Sequence, residues 1–161
     1  MGVKTGLDAI LRELDSLYGR VDSAAMTRFA NLVAGANGAL FVAGAGRSGL
    51  LLRCFAMRMM HMGRTVYMTG DVTTPAARHG DVLLIGSGSG ETASLAAMAT
   101  KARGMGLTVL LVTASHDSTI GRLADECLVL PAPTPKAVEA ATATSVQPMG
   151  NLFEQAMFLF L

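Results

Sequence analysis

Two glycine-rich turns carry the polar side chains with the clearest chemical purpose in this chain. They are Gly44-Ala45-Gly46-Arg47-Ser48-Gly49 and Gly86-Ser87-Gly88-Ser89-Gly90-Glu91-Thr92, and each joins an apolar run to a helical pattern. A strand feeding a helix through such a turn aims backbone N–H groups and hydroxyls at the positive helix end, on the carboxyl edge of a parallel sheet. Anions and phosphates bind there. In the second turn Ser87, Ser89 and Thr92 put three hydroxyls beside glycines that let a ligand approach the backbone. That arrangement suits one compact monophosphate. Arg47, inside the first turn, adds a cation placed to face phosphate or a developing negative charge.

The first turn also matches G-x-G-x-x-G, which alone is weak evidence for dinucleotide binding. A nicotinamide site would want an acidic residue about 20 positions further on, at the end of the second strand. That strand ends Val66-Tyr67-Met68, and Asp71 comes late, after Gly70. No cofactor is therefore expected. No pair of histidines or cysteines has metal-ligand spacing, so no metal is expected either.

Glu154 is the only charged residue between Met149 and Leu161, set among Leu152, Phe153, Met157 and Phe158. A carboxylate in such surroundings is costly unless it is used or paired. It is the candidate general base, with a salt bridge to Arg47, Arg53 or Arg58 as the structural alternative. His61 falls in the last turn of a helical pattern ahead of Gly63, where a histidine can bond terminal carbonyls and complement the helix dipole. Glu91 is explained equally well by the dipole at its helix start, and His79 and His116 read as loop residues.

These groups must be positioned by alternating elements. Leu7, Ile10, Leu11, Leu14, Leu17 and Tyr18 fall at helical spacing, and Asp22 or Ser23 can cap a second helix carrying Met26, Phe29, Ala30 and Val33. Strands follow at Ala39–Ala43, Thr65–Met68, Asp81–Gly86, Leu107–Thr113 and Glu126–Leu130, with helices at Gly49–Met62 and Thr92–Gly104. Continuous apolar runs such as Val82-Leu83-Leu84-Ile85 and Val109-Leu110-Leu111-Val112 mark parallel strands buried on both faces. The fold class is α/β, a doubly wound parallel sheet flanked by helices in a three-layer, flavodoxin-like sandwich. Residues 1–161 form one domain, with the helical segment 1–37 packed on it. Pro131 to Ala143 reads as a loop, and Met149–Leu161 as an apolar helix that stops uncapped on Phe-Leu-Phe-Leu, so further residues are expected beyond Leu161.

Composition narrows the possibilities. Apolar residues make up 51% and charged residues 16% of 161, against an ordinary charged share of about 25%. Oligomerisation is the expected way to hide the excess, and the methionines at 57, 59, 60 and 62 read as core or subunit packing. Thirteen basic and twelve acidic residues give a net charge of +1 without a clustered basic face, which excludes nucleic acid as the expected partner. The charges at Lys4, Asp8, Arg12, Glu13 and Asp15 argue against a secretory leader, and none is expected. No continuous apolar stretch reaches the roughly 18 residues of a membrane span. Cys54 and Cys127 are expected to be buried and reduced.

The two glycine turns, one strand pair apart, resemble the signature of the sugar isomerase (SIS) domain family. Thr73-Thr74-Pro75-Ala76, Ala56-Met57-Arg58-Met59-Met60-His61-Met62-Gly63 and the run from Ser145 to Gln155 (SVQPMGNLFEQ) narrow the resemblance to its 6-phospho-3-hexuloisomerase branch, over nearly the whole chain. The resemblance implies interconversion of D-arabino-hex-3-ulose 6-phosphate and D-fructose 6-phosphate, a step of the ribulose monophosphate pathway of formaldehyde fixation or its reverse. That is a proton shuttle through an enediolate, which demands no cofactor. It implies Glu154 as base, and His61 assisting ring opening or proton movement in its own or a neighbouring subunit's site. Ser48, Ser87, Ser89 and Thr92 become phosphate and hydroxyl contacts beside Arg47, in a cytoplasmic homotetramer. The alternatives are another SIS isomerase, such as one acting on arabinose 5-phosphate, or a SIS sensor that binds a phosphosugar without turning it over.

Overall fold

The computed structural model describes residues 2–134 and 145–161. Two helices lead, α1 (Val3–Tyr18) and α2 (Ser23–Gly35). The Asp22 carboxylate caps α2 by accepting the Ala24 N–H at 2.9 Å, as its position predicts. Next come β1 (Leu40–Gly44), α3 (Gly46–His61), β2 (Val66–Met68), β3 (Val82–Gly86), α4 (Ala93–Gly104), β4 (Thr108–Thr113) and β5 (Glu126–Val129). A short 3-10 turn, Pro148–Gly150, leads into α5 (Asn151–Phe160).

The five strands are all parallel, in the order β2-β1-β3-β4-β5. This is the flavodoxin-like order, in which chain direction across the sheet reverses between β1 and β3. Successive strand residues serve opposite faces. Leu40, Val42, Leu84, Leu110 and Val112 pack with Leu17 of α1, Phe29 of α2, Leu52 and Phe55 of α3, and Phe153 and Met157 of α5. Phe41, Ala43, Leu83, Ile85, Val109 and Leu111 pack with Leu95, Ala99 and Ala102 of α4. Burial on both faces accounts for the unbroken apolar runs, each fully buried Leu, Ile, Val or Phe contributing roughly 1.5–3 kcal/mol.

Three expectations are corrected. The helix expected at Gly49–Met62 begins at Gly46, so Arg47 and Ser48 stand in its first turn rather than in a loop. The helix expected from Met149 begins at Asn151, with Met149 (φ 58°) and Gly150 (φ 77°) left-handed in the short turn ahead of it. Cys54 is exposed, since α3 buries Leu52, Phe55, Ala56 and Met59 and turns Cys54 outward with Leu50, Met57 and Met60. Cys127 is half-buried, which pushes its thiol up to about 11. Most of the segment read as a loop, 135–143, lies outside the described residues. No helix among the described residues is long and apolar enough to cross a membrane.

Candidate active site

A cavity of about 460 Å3 opens at the carboxyl ends of β1 and β3, where the strand order reverses. Open α/β sheets bind ligands at this place because two neighbouring loops diverge there and leave a crevice. Two helices point their N-termini into it. Neither Ala45, ahead of α3, nor Thr92, ahead of α4, gives its helix a side-chain cap. The first-turn amides of both helices are thus left for an anion.

The loop after β3 is built to hold its shape. Ser87, buried, donates its N–H to Val112 O at 3.0 Å and accepts the Gly90 N–H on its hydroxyl at 3.2 Å. Ser89 Oγ accepts the Glu91 N–H at 3.2 Å. From the other side Ala114 N donates to Gly88 O and Ile120 N to Gly90 O, each at 3.0 Å. Glu91 turns away from the cavity to accept Thr119 N and Thr119 Oγ1, both at 2.7 Å. The Thr119 hydroxyl first, and its amide second, hold the Glu91 carboxyl below its usual range.

The far wall comes from α5. Gly86 closes β3 where a Cβ would stand 2.7 Å from Met157 Sδ and 2.8 Å from Leu52 Cδ1, so α5 and α3 pack closely on the sheet at this glycine. One turn earlier on the same helix, Glu154 reaches the cavity. Its Oε2 meets Arg47 Nε at 2.7 Å, with the Glu154 side chain 12% exposed and that of Arg47 53% exposed. Arg47 also donates through Nη2 to the carbonyl of Met149. Arg58 lies over the Phe158 ring at 5.6 Å and ties α3 to α5 further along.

Six of the seven site residues read from the sequence therefore line one cavity: Arg47, Ser48, Ser87, Ser89, Thr92 and Glu154. The seventh does not. His61 ends α3, fourteen residues beyond Arg47, or ~21 Å along the helix axis, and is exposed. Asp71, the late candidate for a ribose contact, is committed to Arg53 by bonds of 2.7 and 3.2 Å. Among the further lining residues not singled out by sequence reasoning are Met149, Phe153 and Thr134. Pro148 ahead of Gly150 is a turn signal that would have found the first. Nothing in the sequence distinguishes Thr134 from its proline-rich surroundings. Among the described residues, no three His, Cys, Asp or Glu side chains are grouped to hold a metal ion.

Chemically, the arrangement offers hydroxyls and uncapped amides for a phosphate group at one end. At the other it offers a carboxylate with a guanidinium beside it, able to take a carbon-bound proton and to meet the negative charge that results.

The sequence model of the SIS domain matches residues 33–158. The chain is 46% identical over 121 residues to the 3-hexulose-6-phosphate isomerase of Bacillus subtilis, covering 75% of this chain and 65% of that one. It is 45% identical over 122 residues to the enzyme of the same name from Mycobacterium gastri, covering 76% and 60%. The chain thus spans somewhat under two thirds of the length of these curated relatives. Among solved structures, a hypothetical protein of Methanococcus jannaschii, whose crystal structure was described as inferring a 3-hexulose-6-phosphate isomerase function, superposes with a TM-score of 0.78. It is 27% identical, with 97% of this chain and 84% of that one covered.

Proposed function

The chain belongs to the SIS domain family, and from that premise we propose that it is an isomerase interconverting D-arabino-hex-3-ulose 6-phosphate and D-fructose 6-phosphate. The observation that carries the reading is the Arg47–Glu154 pair facing the hydroxyl loop across one cavity, a base and a cation opposite a phosphate grip. The names and identities of the bacterial relatives support the choice of sugar.

In this account Ser87, Ser89, Thr92 and Ser48, with the amides at the starts of α3 and α4, hold the phosphate. The carbon chain then runs toward α5. Glu154 removes the proton on the second carbon of the 3-ketose, and the electron pair forms the double bond of an enediolate. Arg47 faces the oxyanion. The proton returns to the third carbon and leaves the ketone at the second. General acid–base transfer supplies about 10²–10⁴-fold of rate, so stabilisation of the enediolate and binding of the remote phosphate carry much of the rest.

His61 enters this scheme only through another copy of the chain, given its distance from its own cavity. The exposed apolar side chains Leu50, Met57, Met60 and Met62 on and beside its helix support a homo-oligomer, which we take to be the tetramer that the family resemblance implies. A histidine supplied across that contact would assist ring opening, needed chiefly from the fructose 6-phosphate side, because the 3-ketose has its sixth oxygen occupied by phosphate. We place the whole of residues 1–161 in one domain working in the cytoplasm.

The test is turnover of fructose 6-phosphate to a 3-ketose, followed by NMR, beside arabinose 5-phosphate in a parallel tube. Turnover of the pentose alone would move the assignment to the other SIS isomerases. Binding of both without turnover would make the chain a sensor.

A further inference from the structure

The run from Ser145 to Gln155 brings Glu154 to the cavity, yet its first residues touch no part of the cavity's chemistry. They are bound instead by Glu13, from the far end of the chain. The Glu13 carboxylate accepts Val146 N at 2.7 Å on Oε1, and Ser145 Oγ at 2.9 Å and Gln147 Nε2 at 3.3 Å on Oε2. Gln147, 6% exposed, passes the contact on, its Oε1 accepting Asn151 Nδ2 at 2.8 Å. Asn151 opens α5, and Glu154 stands one turn later.

Between Gln147 and Asn151 lies Met149, held at φ 58° and ψ 33°, a conformation that a non-glycine residue keeps only where its surroundings impose it. Its carbonyl is the acceptor for Arg47. Both ends of the Arg47–Glu154 pair thus hang on a turn whose entry is fixed by one carboxylate of α1. The Tyr18 hydroxyl donates to Ala156 O and ties the same two helices together. Glu13 precedes the residues that match the SIS domain, 33–158.

We propose that Glu13 is a positioning residue for the isomerisation: it clamps Ser145–Gln147 so that the Met149 turn presents its carbonyl to Arg47 and α5 presents Glu154 to the substrate. The proposal rests on the isomerase reading for its rate consequence. It rests on the hydrogen bonds alone for its structural one.

Two variants test it. In Glu13→Gln, the amide nitrogen confronts the Gln147 amide nitrogen, donor against donor. In the double variant Glu13→Gln with Gln147→Glu, the roles are exchanged and each contact can be satisfied, the Ser145 hydroxyl now accepting from the amide nitrogen and the carboxylate introduced at position 147 still accepting from Asn151. The single variant should lose about 10–100-fold in kcat, because small misplacements of a reacting group are costly. Its Kd for inorganic phosphate, bound at the distant loop after β3, should stay within about twofold of wild type. Amide hydrogen exchange should quicken in 145–155 and not in 86–96. The double variant should recover kcat to within about threefold and restore slow exchange.

Unchanged kcat in the single variant, or a double variant no better than the single at equal thermal stability, would overturn the proposal. If wild type itself fails to turn over fructose 6-phosphate, the functional reading fails, and the exchange data decide alone. Quickened exchange reversed in the double variant then supports the clamp, and unaltered exchange in the single variant refutes it.

Discussion

Arg47 and Glu154 meet Nε to Oε2 at 2.7 Å with unequal exposure, the arginine 53% and the glutamate 12% open to solvent. The carboxylate is the inner partner. A ligand entering the cavity reaches the guanidinium first, and the planar fork can hold Glu154 with one nitrogen and the Met149 carbonyl with another. Of the arginines anticipated as partners for Glu154, only Arg47 takes it. Arg53 is paired with Asp71 and Arg58 stacks on Phe158. A salt bridge was anticipated as the structural alternative to a catalytic carboxylate. The bridge is present and lies inside the cavity, and under the proposed function it orients the base and sets a cation where the enediolate oxygen forms.

Arg47→Lys should therefore lower kcat by about tenfold and Arg47→Ala by about a hundredfold, because a lysine keeps the charge but cannot serve both acceptors. Steady-state kinetics with inorganic phosphate as a competitive inhibitor separates this from weakened binding. The inhibition constant should change less than kcat.

Gly90→Ala should disrupt the loop after β3. Gly90 has φ 64°, and an added Cβ would lie 2.6 Å from Ser118 Cβ and closer still to its hydroxyl. Left-handed strain of about 1–2 kcal/mol adds to overpacking of about 1–3 kcal/mol. Urea unfolding should show a loss of roughly 2–5 kcal/mol, together with weaker phosphate binding.

The sheet, its helices and the grouping of six of the seven candidate residues around one cavity were legible because they rest on local pattern: apolar runs for strands buried on both faces, and glycine with hydroxyls at strand ends. What was not legible depended on contacts between distant segments. Nothing near Glu13 in sequence announces that it will bind Ser145–Gln147. Helical periodicity at 149–161 hid the left-handed Met149, because the pattern records which face is apolar and not where the backbone can begin to coil. Cys54 was expected inside on residue type alone, but the face of α3 on which it falls decided otherwise. For His61, the position was right within its helix and only the fold shows that this helix carries it away from its own cavity.

Glu91 gives a pH signature. Its carboxyl is held low by Thr119, so its contribution to stability is fully present above the unfolded value of about 4.3 and is lost as pH falls through the lower folded value. Wild type should exceed Glu91→Gln in stability at pH 7. The two should converge under acid, as measured by urea midpoints across that range. A gap that stays constant with pH would show that the ionised form of Glu91 is not what Thr119 stabilises.

His61→Ala and Glu154→Gln, each impaired alone, should complement one another if His61 serves a neighbouring copy. Mixing them through reversible dissociation creates some sites holding both native residues. Recovery of activity on mixing, up to about a quarter of wild type for random pairing of copies, is the expected result. No recovery would confine His61 to helix capping.

Under the proposed function Glu154 moves a proton between two carbons of a phosphorylated ketose gripped by the loop after β3. Fructose 6-phosphate incubated with the chain in deuterated water and followed by NMR tests it. Wild type should place deuterium on the third carbon and build up the 3-ketose. Glu154→Gln should still bind inorganic phosphate while both processes slow by about 10²–10⁴-fold. Exchange and isomerisation that continue undiminished in Glu154→Gln would contradict the account.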